Sequence, residues 1–357
     1  MNPNSFFPDL KNLTEHIGRT PAPETEQVIE GSILKPLRDF SARPSKKMRE
    51  RLVRLAGQLV RPEGIEPSEA GDPTAFLNSS GSLRKKDQIQ LGAQIIEAIH
   101  SASLIIDDIE DGSLVRRNQP TLHIQYGVPT ALNAGNWLYF WPLKQIRNLG
   151  LDEKNELALL SDAIDIMVKA HFGQSIDIGI QVDELPQSSV EEVCLSSIEL
   201  KTGALMSLAM KIGGYISAAS KSQIDALDQV GKELGILLQA FDDLGNFSKN
   251  PSTQDPSEVK KYEDLYLRRP SWIWSVAASH LSQVQYQDWI AAVRALPNER
   301  PLNEWVEAQN WRGVLKQHAM NRLDRFLARV HQEFSLTSKS AVEQLQALAC
   351  ELLQAYR

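Results

Sequence analysis

The chain has 357 residues, 42% apolar and 23% charged, with a formal net charge of −7. That balance suits a globular protein with a sizeable buried core. With no basic stripe carrying interleaved aromatics, it excludes general nucleic-acid binding and leaves anion binding to metal or to local Lys and Arg.

Length alone suggests two domains, but helical character runs from end to end without a clear linker, so residues 1–357 read as one domain. The two cysteines, Cys194 and Cys350, form no CxxC or Cys/His cluster. They read as buried thiols of a reducing, cytoplasmic setting. The N-terminus lacks a basic segment followed by an apolar one, so no signal peptide is expected. The longest uncharged stretch, 118–143, is rich in Asn, Gln, Pro and Gly, and no transmembrane segment is expected.

Residues 1–30 are polar, with several Pro and Asn, and read as an irregular segment before one helix near 24–40. A second helix follows Pro44, from Ser45 to Val60, with Lys46 and Arg49 on one face. Residues 61–82, rich in Pro, Gly, Ser and Asp, read as a surface loop. From Arg84 the positions Ile89, Ala93, Ile96, Ile99 or His100, Ser103 and Asp107 recur three or four apart, the signature of one helix face. That helix ends in Asp107-Asp108-Ile109-Glu110-Asp111, and Arg116-Arg117 follow. Residues 118–136 contain turn formers, and Asn136-Trp137-Leu138-Tyr139-Phe140-Trp141 opens an apolar helix. Helical pattern continues through 153–180, 190–220 and 222–247. A polar stretch then suggests a lid over 248–261, and 262–357 reads as four or five amphipathic helices. No segment alternates with period two, so no sheet is expected. The fold class is all-α.

Acids at the C-terminal end of a helix oppose its dipole, and bound cations would offset that cost. Asp107 and Asp111 lie one turn apart, so their carboxylates share a side. Oxygen ligands of this kind suit Mg²⁺, which keeps waters and shares phosphate oxygens with a substrate. A second pair, Asp242-Asp243, ends the apolar run from Leu234 to Phe241, and Asn246 repeats the four-residue spacing. Two such pairs could hold several Mg²⁺ ions and a diphosphate, making pyrophosphate a good leaving group. No Ser/His/Asp constellation suggests nucleophilic catalysis.

The run from His100 to Asp111, followed by Arg116-Arg117, His123, Tyr126-Gly127 and Asn136-Trp137-Leu138-Tyr139-Phe140, resembles the trans-isoprenyl diphosphate synthases, and most of all the geranylgeranyl diphosphate synthases. The resemblance covers about residues 34–280. It implies a single large helical bundle of the isoprenoid-synthase type with a central apolar cavity, three Mg²⁺ ions, and a homodimer. It also implies condensation of isopentenyl diphosphate with an allylic diphosphate to an all-trans C15–C25 product. On this reading Asp107, Asp108 and Asp111 form the first metal motif and Asp242 and Asp243 the second, with Asp107, Asp111 and Asp242 as metal ligands. Arg116 binds the allylic diphosphate. Arg117, with Lys46, Arg49 and His100, binds that of isopentenyl diphosphate. Lys201-Thr202-Gly203 matches a helix kink that frees carbonyls beside a developing carbocation, and Gln239 precedes the second motif. Gly173-Gln174 and Asp177 match a further family segment. Departures stand at Ser45 and Asn118, where the family has glycine, at Asn246, where it has Asp, and at Arg269, where it has lysine in a substrate-binding position.

The helix below Asp107 is then a ruler for the growing chain. Ala102 and Ser103 are small and leave room, with Ile99 and Ile96 further down, which favours a C20 product. The aromatic group at 137–141 either closes the pocket or packs in the core. One rival is a class I terpene cyclase on the same fold, but no Asn/Asp-x-x-x-Ser/Thr-x-x-x-Glu motif follows residue 230. Another is a di-iron bundle, for which Glu97-Ala98-Ile99-His100 is a single Glu-x-x-His where two are needed. A non-catalytic subunit is a third, although both Asp motifs remain.

Overall fold

A computed structural model describes residues 18–44, 48–61, 84–248 and 262–355. Helix α1 (Pro23–Ile29) starts at a proline, whose missing N–H costs nothing in a first turn. It therefore begins inside the stretch expected to be irregular up to residue 30. A π-helical turn, Glu30–Leu34, joins it to α2 (Lys35–Ser41), and the Lys35 N–H reaches the Glu30 carbonyl five residues back. Pro36, which cannot donate to the carbonyl four residues back, accounts for the widened turn. Helix α3 (Met48–Leu59) follows; Lys46 and Ser45 lie outside the described residues, as do 249–261 of the expected lid.

Helix α4 (Lys85–Glu110) is the long helix read from periodicity. Beyond it the chain forms strands β1 (Val115–Arg116) and β2 (Gln119–Pro120), paired antiparallel with Val115 opposite Pro120. This corrects the expectation of no sheet; two residues per strand are too few to show alternation. Helix α5 (Leu122–Tyr126) and helix α6 (Val128–Ile146) come next. Helix α6 starts eight residues before the expected Asn136, because Gly127, with φ of 82°, and Pro129 open a helix instead of a loop. Then come α7 (Glu153–Gly179), α8 (Gln187–Ile198), a π turn at Glu199–Gly203, α9 (Ala204–Ile216) and α10 (Lys221–Ser248). Past residue 262 the described chain has six helices where four or five were expected: α11 (Glu263–Tyr266), α12 (Trp272–His280), α13 (Gln283–Arg294), α14 (Glu299–Ala308), α15 (Trp311–Phe334) and α16 (Lys339–Ala355). The extra one is the single turn α11, too short to carry a period.

The chain groups into two compact units: residues 1–53 with 68–160, and residues 54–67 with 161–357. In the first, α4 packs along α6. Ala98, Ala102 and Ile105 meet Ala131, Ala134 and Leu138, and Leu37, Phe40, Leu122 and Trp141 close the cluster. The small residues bring the two backbones close: a Cβ on Gly135 would lie 2.9 Å from the Ile106 Cδ1. In the second unit α10 packs on α9 and α15, and α8 on α12. Trp274, Trp289, Trp305 and Trp311 pack edge to face or tilted, with centroids 5.0–5.9 Å apart, and anchor α12 to α15. Each such ring removes about 150–250 Å² from water. Helix α4 and the run Gln187–Ile216 are long and apolar enough to cross a bilayer by composition, but 44% and 61% of their most apolar windows are buried inside the protein. Interior helices of a bundle have that character.

Candidate active site

In the first unit the last turn of α4 carries the acidic motif. The Asp111 N–H donates to the Asp107 carbonyl at 2.9 Å, and Gly112, with φ of 60°, reverses the chain. The chain returns through β1 and β2. Arg117 and Asn118 make the two-residue connection, with φ of 54° and 60°. A two-residue hairpin with two left-handed positions favours Gly or Asn at the second, so the Asn118 departure keeps the turn.

The hairpin places Arg116 on the acids. Its Nε donates to Asp108 Oδ1 at 2.6 Å and its Nη2 to Asp107 Oδ2 at 3.3 Å. Asp108 is 1% exposed, and its second oxygen is buried with no hydrogen-bond partner. Burial pushes its carboxyl up, and Arg116 offsets part of that. Asp108 thus faces inward to hold Arg116, leaving Asp107 and Asp111 as the partly exposed acids of the motif.

Beside this lies a group rich in positive charge. Burial pulls the Arg49 and Arg117 guanidiniums below their usual range, and Glu97 opposes the shift at both. Burial, then Arg49, Arg117 and Arg116, hold His100 well below its usual range. His100 is therefore a neutral imidazole amid cations, able to donate one hydrogen bond to an anion. One acid, Glu97, beside the two guanidiniums of Arg49 and Arg117 leaves a surplus positive charge, suited to a diphosphate. Arg43, which sequence reasoning missed, also belongs here: burial lowers its pKa, and it senses Asp108, Arg117 and Arg116.

Along α4, Ile96, Ile99 and Ala102 are fully buried, and Ala102 belongs to the core cluster. Ser103 is half-buried, its hydroxyl turned back to the His100 carbonyl at 2.8 Å. Of the aromatics, Trp141 packs in the core and stacks on Trp137 at 6.1 Å, whereas Phe140 is 70% exposed.

In the second unit the π turn carries Lys201 and Thr202. It is wedged between glycines: a Cβ on Gly173 of α7 would lie 2.6 Å from the Lys201 nitrogen, and one on Gly235 of α10 would lie 2.5 Å from Gly203 Cα. Hence the glycine of the Gly173-Gln174 segment, a role the sequence did not disclose. Lys201 Nζ donates to Asp177 at 2.7 Å, and Arg269 Nη1 lies 3.9 Å from the same carboxylate. Thr202 Oγ1 donates to Gln239 Oε1 at 3.3 Å; Gln239 Nε2 donates to Asp243 Oδ1 at 2.7 Å. The Trp272 N–H donates to the other Asp243 oxygen at 2.7 Å. Asp243, 2% exposed, is thus spoken for by protein donors, and Asp242 is the pair's outward member.

A second residue missed from sequence is Asp264. Burial, then Asp177, Glu263 and Asp242, push its carboxyl up to about 6. Burial and Asp264 raise Asp243 in turn, against the Gln239 hydrogen bond. The only signal was an acidic pair, Glu263-Asp264, a few residues before Arg269. Three carboxylates crowding Asp264, with Lys201 opposing, fit a site built for cations. Among the described residues no three His, Cys, Asp or Glu converge tightly enough to hold an ion by themselves.

The polyprenyl synthetase family model matches residues 30–306. The chain belongs to the polyprenyl synthetase family. A geranylgeranyl pyrophosphate synthase of Dictyostelium discoideum is 32% identical over 203 residues, 55% of this chain and 63% of that protein. A terpene synthase of Matsumurasca onukii is 29% identical over 67% of this chain and 70% of its own length. The chain spans less than two thirds of the first curated relatives' own lengths, from 16% to 63%. The crystal structure of a Caulobacter crescentus polyprenyl synthase, complexed with calcium and isoprenyl diphosphate, superposes with a TM-score of 0.65 at 18% identity, covering 98% of this chain and 97% of that one. At that identity the likeness is one of fold, and the fold of this polyprenyl synthetase is the all-helical one expected.

Proposed function

We propose that this polyprenyl synthetase is a Mg²⁺-dependent trans-prenyltransferase that condenses isopentenyl diphosphate with dimethylallyl, geranyl or farnesyl diphosphate, with geranylgeranyl diphosphate as its product. The observation that carries this is a positive group, Arg49, His100 and Arg117, separate from the acids that Arg116 holds. A two-substrate reaction needs one such place per diphosphate. Asp107 and Asp111, and separately Asp242, would hold the metal; bound Mg²⁺ supplies charge neutralisation of departing pyrophosphate. Arg116 would bind the allylic diphosphate once drawn from Asp107 and Asp108. The carbonyls of the π turn at Lys201 and Thr202 would face the developing allylic cation, and apolar packing would exclude the water that quenches it. Attack by the isopentenyl double bond forms the new carbon–carbon bond, and the released pyrophosphate takes the proton.

A terpene cyclase is the second reading, favoured by the similarity to a terpene synthase. A cyclase has no use for a second diphosphate group. Incubation with isopentenyl diphosphate and each allylic diphosphate, and with geranylgeranyl diphosphate alone, separates them. Chain elongation supports the proposal; hydrocarbon from the single substrate, with no elongation, overturns it. Within the first reading, Ser103→Phe should shorten the product, and an unchanged length refutes Ser103 as part of the ruler with Ala102, Ile99 and Ile96.

The homodimer is proposed as well, on an apolar stripe along α7: Ile164, Val168 and Phe172, spaced by four residues and 44%, 49% and 60% exposed. The free cysteines, Cys194 and Cys350, support a reducing, cytoplasmic setting.

A further inference from the structure

Arg117 has a positive φ, 54°, in the connection between β1 and β2. A side chain with a Cβ rests there at a cost and persists only where its surroundings over-determine it. Two neighbours outside the family motifs do so here. The Arg43 side chain is 3% exposed and reaches across to the hairpin: its Nη2 donates to the Pro120 carbonyl at 2.8 Å and its Nη1 to the Arg116 carbonyl at 3.4 Å. It thereby ties the two strands on either side of Arg117. The second neighbour is the Phe40 ring, buried in the core, with the Arg43 guanidinium 5.2 Å and the Arg117 guanidinium 5.8 Å from its centroid. Cations over a ring at this range are attracted to its face, so one ring fixes the side chain of Arg117 and that of the residue clamping its backbone.

We infer that Arg43 and Phe40 are positioning residues for the diphosphate of isopentenyl diphosphate, acting through the hairpin that presents Arg117. This rests on the proposed assignment of Arg117. Arg43 itself is too buried to be the ligand, and its Nε, buried without a hydrogen-bond partner, does not emerge toward one. A lysine at 43 keeps the charge but has one nitrogen where Arg43 uses two, so it can hold one strand and not both.

The test is steady-state kinetics and calorimetric binding of isopentenyl diphosphate for Arg43→Gln, Arg43→Lys, Phe40→Leu and Arg117→Gln, each checked for wild-type helix content. Arg43→Gln is expected to raise KM and Kd for isopentenyl diphosphate about tenfold while kcat stays within about threefold, because loss of binding shared by ground and transition states moves KM. Arg43→Lys should fall between Gln and wild type, and Phe40→Leu should follow the same pattern if Arg43→Gln does not fold. A merely structural role would lower the active fraction, hence kcat, and leave KM alone; that result, or unchanged KM and Kd, overturns the inference. If Arg117→Gln weakens binding and the Arg43 and Phe40 variants do not, the positioning role fails and the Arg117 assignment stands. If wild type binds isopentenyl diphosphate without condensing it, the proposed reaction fails, and the Kd values still decide the positioning role.

Discussion

Gly173→Ala tests whether the π turn is held in place by the absence of a side chain. The new Cβ would lie 2.6 Å from the Lys201 nitrogen and 2.8 Å from the Leu200 carbonyl carbon. Both are backbone atoms, so no rotamer relieves the clash. Ordinary contact begins at 3.4 Å, so the turn must retreat by roughly 0.8 Å, a shift at which reacting groups lose about 10²-fold in rate per ångström. Overpacking costs about 1–3 kcal/mol, and alanine returns up to about 1 kcal/mol as a better helix former. The expected outcome is a fall in kcat of about 50-fold with a stability loss of about 1–2 kcal/mol. The Arg49, His100 and Arg117 group is not touched, so KM for isopentenyl diphosphate should hold within about threefold. Incorporation of labelled isopentenyl diphosphate gives the kinetics, and urea titration the stability. Gly179→Ala, on the same helix with nothing within 4 Å of its Cβ, is the control. A folded Gly173→Ala protein with kcat near wild type would refute the reasoning.

Asp228 accepts from Lys232 at 2.8 Å and Ser207 at 2.5 Å and lies 3.4 Å from Lys211. Burial pushes its carboxyl up, but the hydrogen bonds from Lys232 and Ser207 and the charges of Lys211 and Lys232 together outweigh it and hold the pKa below 3.8. A depressed folded-state pKa stabilises above the unfolded value and loses that contribution as pH falls through the folded one. Asp228→Asn should therefore cost about 1.5–3 kcal/mol at pH 7, and the gap should close as pH drops below 3.8; a gap independent of pH argues against the network. Burial drives the Cys194 thiol far up, so a maleimide should label Cys350 in the native protein and Cys194 only after unfolding. Equal labelling rates would contradict that. Phe172→Glu on the apolar stripe of α7 should shift sedimentation from dimer to monomer, and an unchanged mass removes that face from the interface.

The long elements were legible because a single apolar face repeats over many turns, as in α4, α7 and α10. Short elements were not: β1, β2 and α11 end before any period can show. The start of α6 was hidden because Gly127 and Pro129 signal a turn and a helix opening alike. At the site, Asp107 and Asp242 stood out through their four-residue spacing, and Arg116 and Lys201 through the resemblance to the trans-isoprenyl diphosphate synthases. Arg43 and Asp264 did not, since their roles come from contacts across long sequence separations: Arg43 reaches Arg116 and Pro120, and Asp264 crowds Asp177 and Asp242. Likewise, the inward turn of Asp108 and Asp243 depends on which oxygen a neighbour reaches, a matter of tertiary packing.

The ion pair of Arg116 with Asp107 and Asp108 has a thermodynamic corollary. One cation cannot serve the acids and an incoming diphosphate fully at once. On the proposed reading, a diphosphate that draws Arg116 away would remove one cation from Asp107, and a cation that settles on Asp107 would compete with Arg116. By linkage, each event must strengthen the other by the same factor. Because Arg116 pairs with Asp107 and Asp108, the proposed metal and diphosphate would bind as mutually reinforcing partners.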